Sequence, residues 1–158
     1  MVTTTSAREA VARVVDPEIR VLTLEDLGVV RDVREAGGRV TVTITPTYSG
    51  CPAMEVMRAD IRRALAAAGY AEVEVRTVLR PAWTTDMISE AGKRKLAEAG
   101  IAPPGPSRSG PVGLSLSVRC PRCGDPDTEQ ISRFGSTACK ALWRCRACGE
   151  PFDHIKPL

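Results

Sequence analysis

The chain is expected to be an α+β protein: a small helix–strand–strand–helix–strand domain with an added helix, followed by a short module held together by cysteines. Three features predict this. Residues 39–45, RVTVTIT, alternate strictly, with Val40, Val42 and Ile44 on one face and Thr41, Thr43 and Thr45 on the other, the pattern of a half-buried strand. Met54, Met57, Ile61, Leu65 and Ala68 recur at helical spacing. Four of the six cysteines form two CxxC pairs, Cys120 with Cys123 and Cys145 with Cys148.

The elements follow in order. Ser6 and Glu9 have the spacing of a capping box, and Ala7, Ala10, Val11 and Val14 share a helical face, which predicts a helix over about 7–15. Pro17 biases Asp16 away from helical dihedrals, so the helix ends at DPEI, residues 16–19. Gly28 marks a turn into a strand of about 29–35, and Gly37-Gly38 predicts a hairpin into RVTVTIT. The helix carrying Met54 to Ala68 stops at Gly69, and both methionines read as core packing. EVEVRTVL, residues 72–79, alternates again as a third strand. A loop then leads into a helix over about 85–99, with Ile88, Ala91, Leu96 and Ala99 facing inward. The stretch PPGPSRSGPVG has the composition of a linker. The expected organisation is therefore a domain over 1–102, a linker over 103–113 and a second module over 114–158.

Composition narrows the function. The 158 residues are 43% hydrophobic and 26% charged, ordinary for a globular chain. No apolar run approaches the roughly 18–20 residues that a membrane span needs. The start, MVTTTSAREAVARVV, lacks the apolar core of a signal peptide. A cytoplasmic location without membrane contact is expected. A net charge of +3, scattered basic residues and 4% aromatics argue against nucleic-acid binding. Were the second module to bind nucleic acid, Arg122, Arg133, Lys140, Arg144 and Arg146 would be the contacts. There is no GxSxG elbow, phosphate-binding loop or dinucleotide fingerprint, and His154 is the sole histidine. Little equipment for catalysis by the chain alone is in view.

In a reducing cytosol, closely spaced cysteines indicate a metal site rather than disulfides. The two CxxC pairs flank residues 124–144, and each pair is followed by a glycine, Gly124 and Gly149. A CxxC turn lets two thiolates reach one ion, and two such turns on facing hairpins give the tetrahedral four-thiolate site of a zinc ribbon. The module over 114–158 is too short to build a sufficient core without such a staple. Redox-inert zinc suits a closed structural site, although the ligand set itself also admits iron. Cys139 is left over. It reads as a small buried hydrophobe of the ribbon, with a spare thiol for transient metal handling as the sharper alternative. His154, as a lone histidine, reads as incidental rather than as a ligand.

Cys51 poses a separate question. In TPTYSGCPAMEVM, Pro52 fits the first helical position and Cys51 the cap position before it. The positive end of a helix dipole favours a thiolate, the form that binds metal or attacks an electrophile. Asp16 and Glu18 would supply neighbouring carboxylates if the fold brings DPEI close. Spacing alone leaves this reading and that of a buried helix-start thiol equally open. Thiol catalysis lacks a nearby base.

A resemblance bears on the choice. DPEIRVLTLEDLGVVRDV, TPTYSGCPAMEVM, RPAWTTDMISEAGKRKLAEAGIAPP, RCPRCG and FGSTACKALWRCRACGEPFDHIKP together resemble the PaaD (also PaaJ) family of accessory subunits of the bacterial phenylacetyl-CoA epoxidase. The likeness runs from about residue 16 to 157. The first domain alone is similar to SufT-type iron–sulfur assembly proteins, whose motifs include DPE and a cysteine ahead of a helix, here Asp16-Pro17-Glu18 and Cys51. The resemblance implies an accessory role in phenylacetate degradation. Cys51 would take part in transient iron or iron–sulfur cluster binding, with Asp16 and Glu18 shaping the site. Cys120, Cys123, Cys145 and Cys148 would hold structural zinc. The oxygenase and reductase subunits of the epoxidase would be the partners, and a homodimer is left open. The competing expectation is a scaffold or stabilising subunit that transfers no metal.

Overall fold

The computed structural model describes residues 5–107 and 117–158. The chain divides into two compact units, Met1–Ser89 and Glu90–Leu158.

The first unit opens with helix α1 (Ala7–Ala12), shorter than the span of 7–15 that periodicity suggests. Its capping box is complete: the Glu9 N–H donates to Ser6 Oγ at 3.2 Å and the Ser6 N–H to Glu9 Oε2 at 2.9 Å. The serine bonds hold the Glu9 carboxyl below the usual carboxylate range. Strands β1 (Val30–Ala36) and β2 (Arg39–Ile44) pair antiparallel around the expected turn at Gly37-Gly38. Helix α2 (Ala53–Ala67) then crosses over to β3 (Glu72–Thr77), which pairs parallel with β2, so the sheet order is β1-β2-β3.

Burial follows from that order. β2 is central, and Val40, Val42 and Ile44 are fully buried. Each contributes roughly 2 kcal/mol by leaving water. From α2 the buried stripe is Ala53, Met54, Met57, Ile61 and Leu65, so both methionines are core residues. Leu22, Leu24 and Val29, from the long connection ahead of β1, are also fully buried. β3 is an edge strand, and its side chains are mostly half-buried rather than cleanly alternating.

The helix expected over 85–99 is two pieces. A single 3₁₀ turn covers Thr85–Met87, and helix α3 covers Glu90–Glu98. Ile88 and Leu96 are buried as expected, whereas Ala91 is half-buried and Ala99 exposed. Helix α3 belongs to the second unit, because the chain leaving it forms β4 (Ile101–Ala102), which pairs parallel with β7 (Pro151–Ile155). The sequence-based boundary at 102 thus falls inside a sheet. Of the expected linker, residues 108–113 lie outside the described residues.

The second sheet has the order β4-β7-β6-β5, with β5 (Thr128–Ser132) and β6 (Lys140–Cys145) antiparallel to their neighbours. Its small core is Ala102, Val118, Cys120, Cys145 and Phe152, with Trp143 packed against it. The register puts Ala141, Trp143 and Cys145 on one face of β6, opposite His154 and Phe152 of β7. His154 is 7% exposed and meets the Trp143 ring edge-on at 5.9 Å. Burial lowers its pKa from 6.5 to about 4.

That shift has a consequence for stability. Unfolded protein takes up a proton on this imidazole near pH 6.5, while folded protein resists protonation until about pH 4. The stabilisation is therefore present above pH 6.5 and is lost as pH falls through this window. Between pH 6.5 and 5 the second unit should lose on the order of 1–2 kcal/mol, and His154→Phe should flatten that slope. Urea titrations at several pH values with bound metal monitored would check this. An unchanged slope in the variant would refute it.

Candidate functional site

Two identical turns build the cysteine cluster. The Gly124 N–H donates to the Cys120 carbonyl and the Gly149 N–H to the Cys145 carbonyl, both at 2.9 Å. The Cys120 N–H donates to the Asp125 carbonyl at 3.0 Å, and the Cys145 N–H to that of Glu150 at 2.9 Å. Both glycines have φ +77°, a backbone conformation that a Cβ disfavours, which is why a glycine follows each CxxC. The ligand atoms of Cys120, Cys123, Cys145 and Cys148 lie within 4.8 Å of one another. Cys120 Sγ is 3.8 Å from Cys148 Sγ, and Cys123 Sγ is 3.6 Å from Cys145 Sγ. A tetrahedron with metal–sulfur arms of about 2.3 Å has edges of about 3.8 Å, so the donors fit a single ion of that size.

Their acidity points the same way. Burial pushes the Cys120 thiol up, but the N–H groups of Cys123 and Arg122 and the neighbouring thiols outweigh it and bring it down to about 7. At Cys123 the Asp125 N–H pulls down, while burial and the Cys145, Cys148 and Cys120 sulfurs push up, leaving it at about 12. One thiolate forms readily and the next does not. A cation at the centre removes that penalty, so loading the site releases protons. Among the described residues this is the only group of three or more His, Cys, Asp or Glu side chains close enough to share an ion.

In the first unit, the start of β1 and the ends of β2 and β3 lie together, since Val30 pairs with Ile44 and Ile44 with Thr77. Three connections gather at that end: 15–29, 45–52 and 78–89. They are tied by backbone bonds from Thr45 N–H to the Val29 carbonyl (2.9 Å) and from Ser89 N–H to that of Asp26 (2.8 Å). The Trp83 indole N–H donates to the Leu27 carbonyl at 2.8 Å.

Cys51 lies in the second of these connections. The helix starts one residue later than expected: Pro52, with helical dihedrals, is the cap of α2, and Cys51 precedes it, its carbonyl accepting from the Met54 N–H at 3.3 Å. It is 8% exposed. Asp16 lies in the first connection and is buried, but its Oδ1 closes its own turn, accepting from the N–H groups of Glu18 (2.8 Å) and Ile19 (2.6 Å). Glu18 is half-buried. The three are not drawn into one ligand group.

Comparison with known proteins bears on the whole chain. The family model described as the PaaD zinc beta ribbon domain matches residues 104–156, and that described as iron–sulfur cluster assembly protein matches residues 5–77. A protein of Escherichia coli (strain K12), assigned as one of the subunits of 1,2-phenylacetyl-CoA epoxidase, is 49% identical over 145 residues, covering 92% of this chain and 87% of that protein. The chain belongs to the PaaD family of epoxidase subunits. Its first part is also similar to the Fe-S protein maturation auxiliary factor YitW of Bacillus subtilis (strain 168), 36% identical over 86 residues, 53% of this chain and 83% of that protein. A solved structure of a domain of unknown function from Bacillus anthracis superposes with a TM-score of 0.53 at 28% identity, covering 57% of this chain and 87% of that one.

Other residues singled out in the PaaD sequence find plain roles. Cys139 stands outside the four-sulfur group, half-buried, with its Sγ 3.1 Å from Thr137 Oγ1 and its carbonyl accepting from the Lys156 N–H at 3.0 Å. Of the five cations considered for nucleic acid, Arg122 pairs with Glu150 at 2.5 Å, Arg144 and Arg146 both pair with Glu129, and the buried Lys140 lies 4.0 Å from Asp153. Arg146 and Arg144 hold the Glu129 carboxyl below the usual range. Among the described residues only Arg133 of the five lacks a carboxylate partner. Among them, too, no helix is long and apolar enough to cross a membrane.

One residue at the Cys51 end escaped the sequence reading. Thr45 is 1% exposed, and its Oγ1 has no hydrogen-bond partner among the described residues. Alternation places it on the outer face with Thr41 and Thr43. The strand stops at Ile44, so the parity of the strand no longer governs Thr45. Its signal was the proline that follows it at position 46.

Proposed function

We propose that this PaaD-family chain is a maturation subunit of the phenylacetyl-CoA epoxidase system that assists iron or iron–sulfur cluster assembly through Cys51. The observation that carries the reading is the position of Cys51. It stands at the carboxyl end of the parallel β2/β3 pair, ahead of α2, in the unit that resembles Fe-S maturation factors. Iron or a cluster is the cargo, not a resident group. Asp16 supports the site by fixing the turn that ends at Ile19, and Glu18, in that same turn, is the candidate carboxylate. The four-sulfur site holds zinc as a structural ion, with Cys120, Cys123, Cys145 and Cys148 as thiolate ligands. The partners are the oxygenase and reductase subunits, in the cytoplasm.

The test is epoxidase purified from cells that carry Cys51→Ser. Iron content and activity are expected to fall at least about ten-fold, with the zinc of the accessory chain unchanged. Asp16→Asn keeps an Oδ1 acceptor for the turn and removes the charge. If Asp16 acts through its turn, Asp16→Asn retains most activity and Asp16→Ala does not.

A second reading, a scaffold subunit that stabilises the oxygenase without moving metal, is favoured by the burial of Cys51 and by the use of Asp16 within its own turn. Full iron and full activity with Cys51→Ser would sink the transfer role and leave the scaffold standing.

A further inference from the structure

The ribbon unit carries a groove that neither metal binding nor Cys51 explains. It has a volume of about 570 Å³ and is lined by Gln130, Arg133, Phe134, Trp143, His154 and Lys156, among others. Gln130 pairs with Trp143 across β5 and β6, so the groove lies on the sheet face that further along buries Cys145. β5, which forms one wall, is an edge strand.

Three properties of the lining define what fits. It is aromatic: Phe134 is 72% exposed, which is costly for a large apolar side chain facing water, and Trp143 and His154 stand edge to face beside it. Its described side chains are positive: Arg133 makes no ion pair among the described residues, Lys156 Nζ sits 5.0 Å from the centre of the Phe134 ring, and no Asp or Glu is among the described lining residues. Burial keeps His154 neutral, so the charge is that of the arginine and the lysine alone. It also has a donor to spare. Trp143 Nε1 is buried with no acceptor among the described residues, a state that costs free energy until an acceptor arrives.

We propose that this groove docks an acidic segment of a partner protein, with an aromatic or large aliphatic side chain against Phe134 and Trp143 and a carboxylate facing Arg133 and Lys156. The segment lies against the Trp143 ring, and a small outward turn of that ring would bring its buried, unpartnered Nε1–H to a backbone carbonyl of the segment. A small anion would satisfy the cations and leave the aromatic wall exposed. A nucleic acid would need a longer basic track, and the neighbouring Arg122, Arg144 and Arg146 are already paired with Glu150 and Glu129. A peptide segment supplies charge, apolar surface and carbonyl acceptors together. None of these residues belongs to the unit that carries Cys51, so this inference stands or falls apart from the maturation role.

The experiment uses the full-length, metal-loaded protein labelled with ¹⁵N. It has two tryptophans, and Trp143→Phe identifies the Trp143 indole N–H signal. Trp83, already bonded to the Leu27 carbonyl, is the internal reference. The peptide acetyl-Asp-Glu-Phe-Asp-Glu-amide should move the Trp143 signal downfield and saturate, leaving that of Trp83 in place. The neutral peptide acetyl-Asn-Gln-Phe-Asn-Gln-amide should bind at least about ten-fold more weakly, and Arg133→Glu should cause a similar loss with metal content unchanged. Equal binding of the neutral peptide, no movement of the Trp143 signal, or the same shift with sodium acetate would each overturn the proposal. Tighter binding of a single-stranded thymidine hexanucleotide would overturn it in favour of nucleic acid.

Discussion

Cys148→Ser protein is expected to be purified without metal in its second unit and with that unit unfolded. The core cluster there is Ala102, Val118, Cys120, Cys145 and Phe152, and two of these five side chains belong to the four-sulfur group; Leu96, Ala141 and Ile155 add little to it. So little apolar area cannot offset the conformational entropy of ordering the three ribbon strands. In zinc-finger peptides a structural metal contributes about 10–16 kcal/mol, more than the whole stability of many domains, and a metal in the four-sulfur group would act in the same way. A serine hydroxyl neither ionises near neutral pH nor binds a soft ion as thiolate does. Elemental analysis together with proteolysis after Ser89 would report the outcome. A variant that keeps its full metal and stays protected would show that three sulfurs suffice. A strong chelator applied to wild-type protein should reproduce the variant, and restored metal should reverse it.

The second large effect is expected in the first unit, at Gly28. Its φ is +75°, and an added Cβ would come 2.4 Å from the Met87 carbonyl oxygen and 2.8 Å from Met87 Cβ. Alanine is strained at that φ by about 1–2 kcal/mol before any contact is counted. The clash is with backbone, so it cannot be relieved by turning a side chain. The 78–89 connection must lift, which strains the bonds from Trp83 to Leu27 and from Ser89 to Asp26. Gly28→Ala should therefore cost about 3 kcal/mol or more, read as a lower urea midpoint of the first unit. Its Trp83 fluorescence should shift toward that of exposed indole. A midpoint within experimental error of wild type would show that the connection is loosely held.

Both effects join residues far apart in the chain, whereas local geometry is what the sequence made legible. The hairpin at Gly37-Gly38, the alternation of 40, 42 and 44, the stripe from Met54 to Leu65 and the two cysteine turns each depend on residues a few positions apart. What stayed hidden depends on distant partners. β4 is two residues, Ile101 and Ala102, whose strand character comes from pairing with Asp153 and His154 about fifty positions on. The arginines of the ribbon look free in sequence because Glu129, which takes two of them, lies on the opposite strand. At the candidate site, the helix-start position of Cys51 could be read from Pro52. The gathering of three connections around it could not, because it follows from β3 pairing parallel to β2 rather than from any local pattern.

The short β4 also changes what a cut in the chain would do. Ile101 and Ala102 remain hydrogen-bonded to β7, so severing the backbone between 103 and 113 would not release the ribbon as a separate body. The two fragments would stay together as a complementing pair, each incomplete alone. A ribbon expressed from residue 114 onward would lack its outermost strand and leave the side of β7 open to another chain.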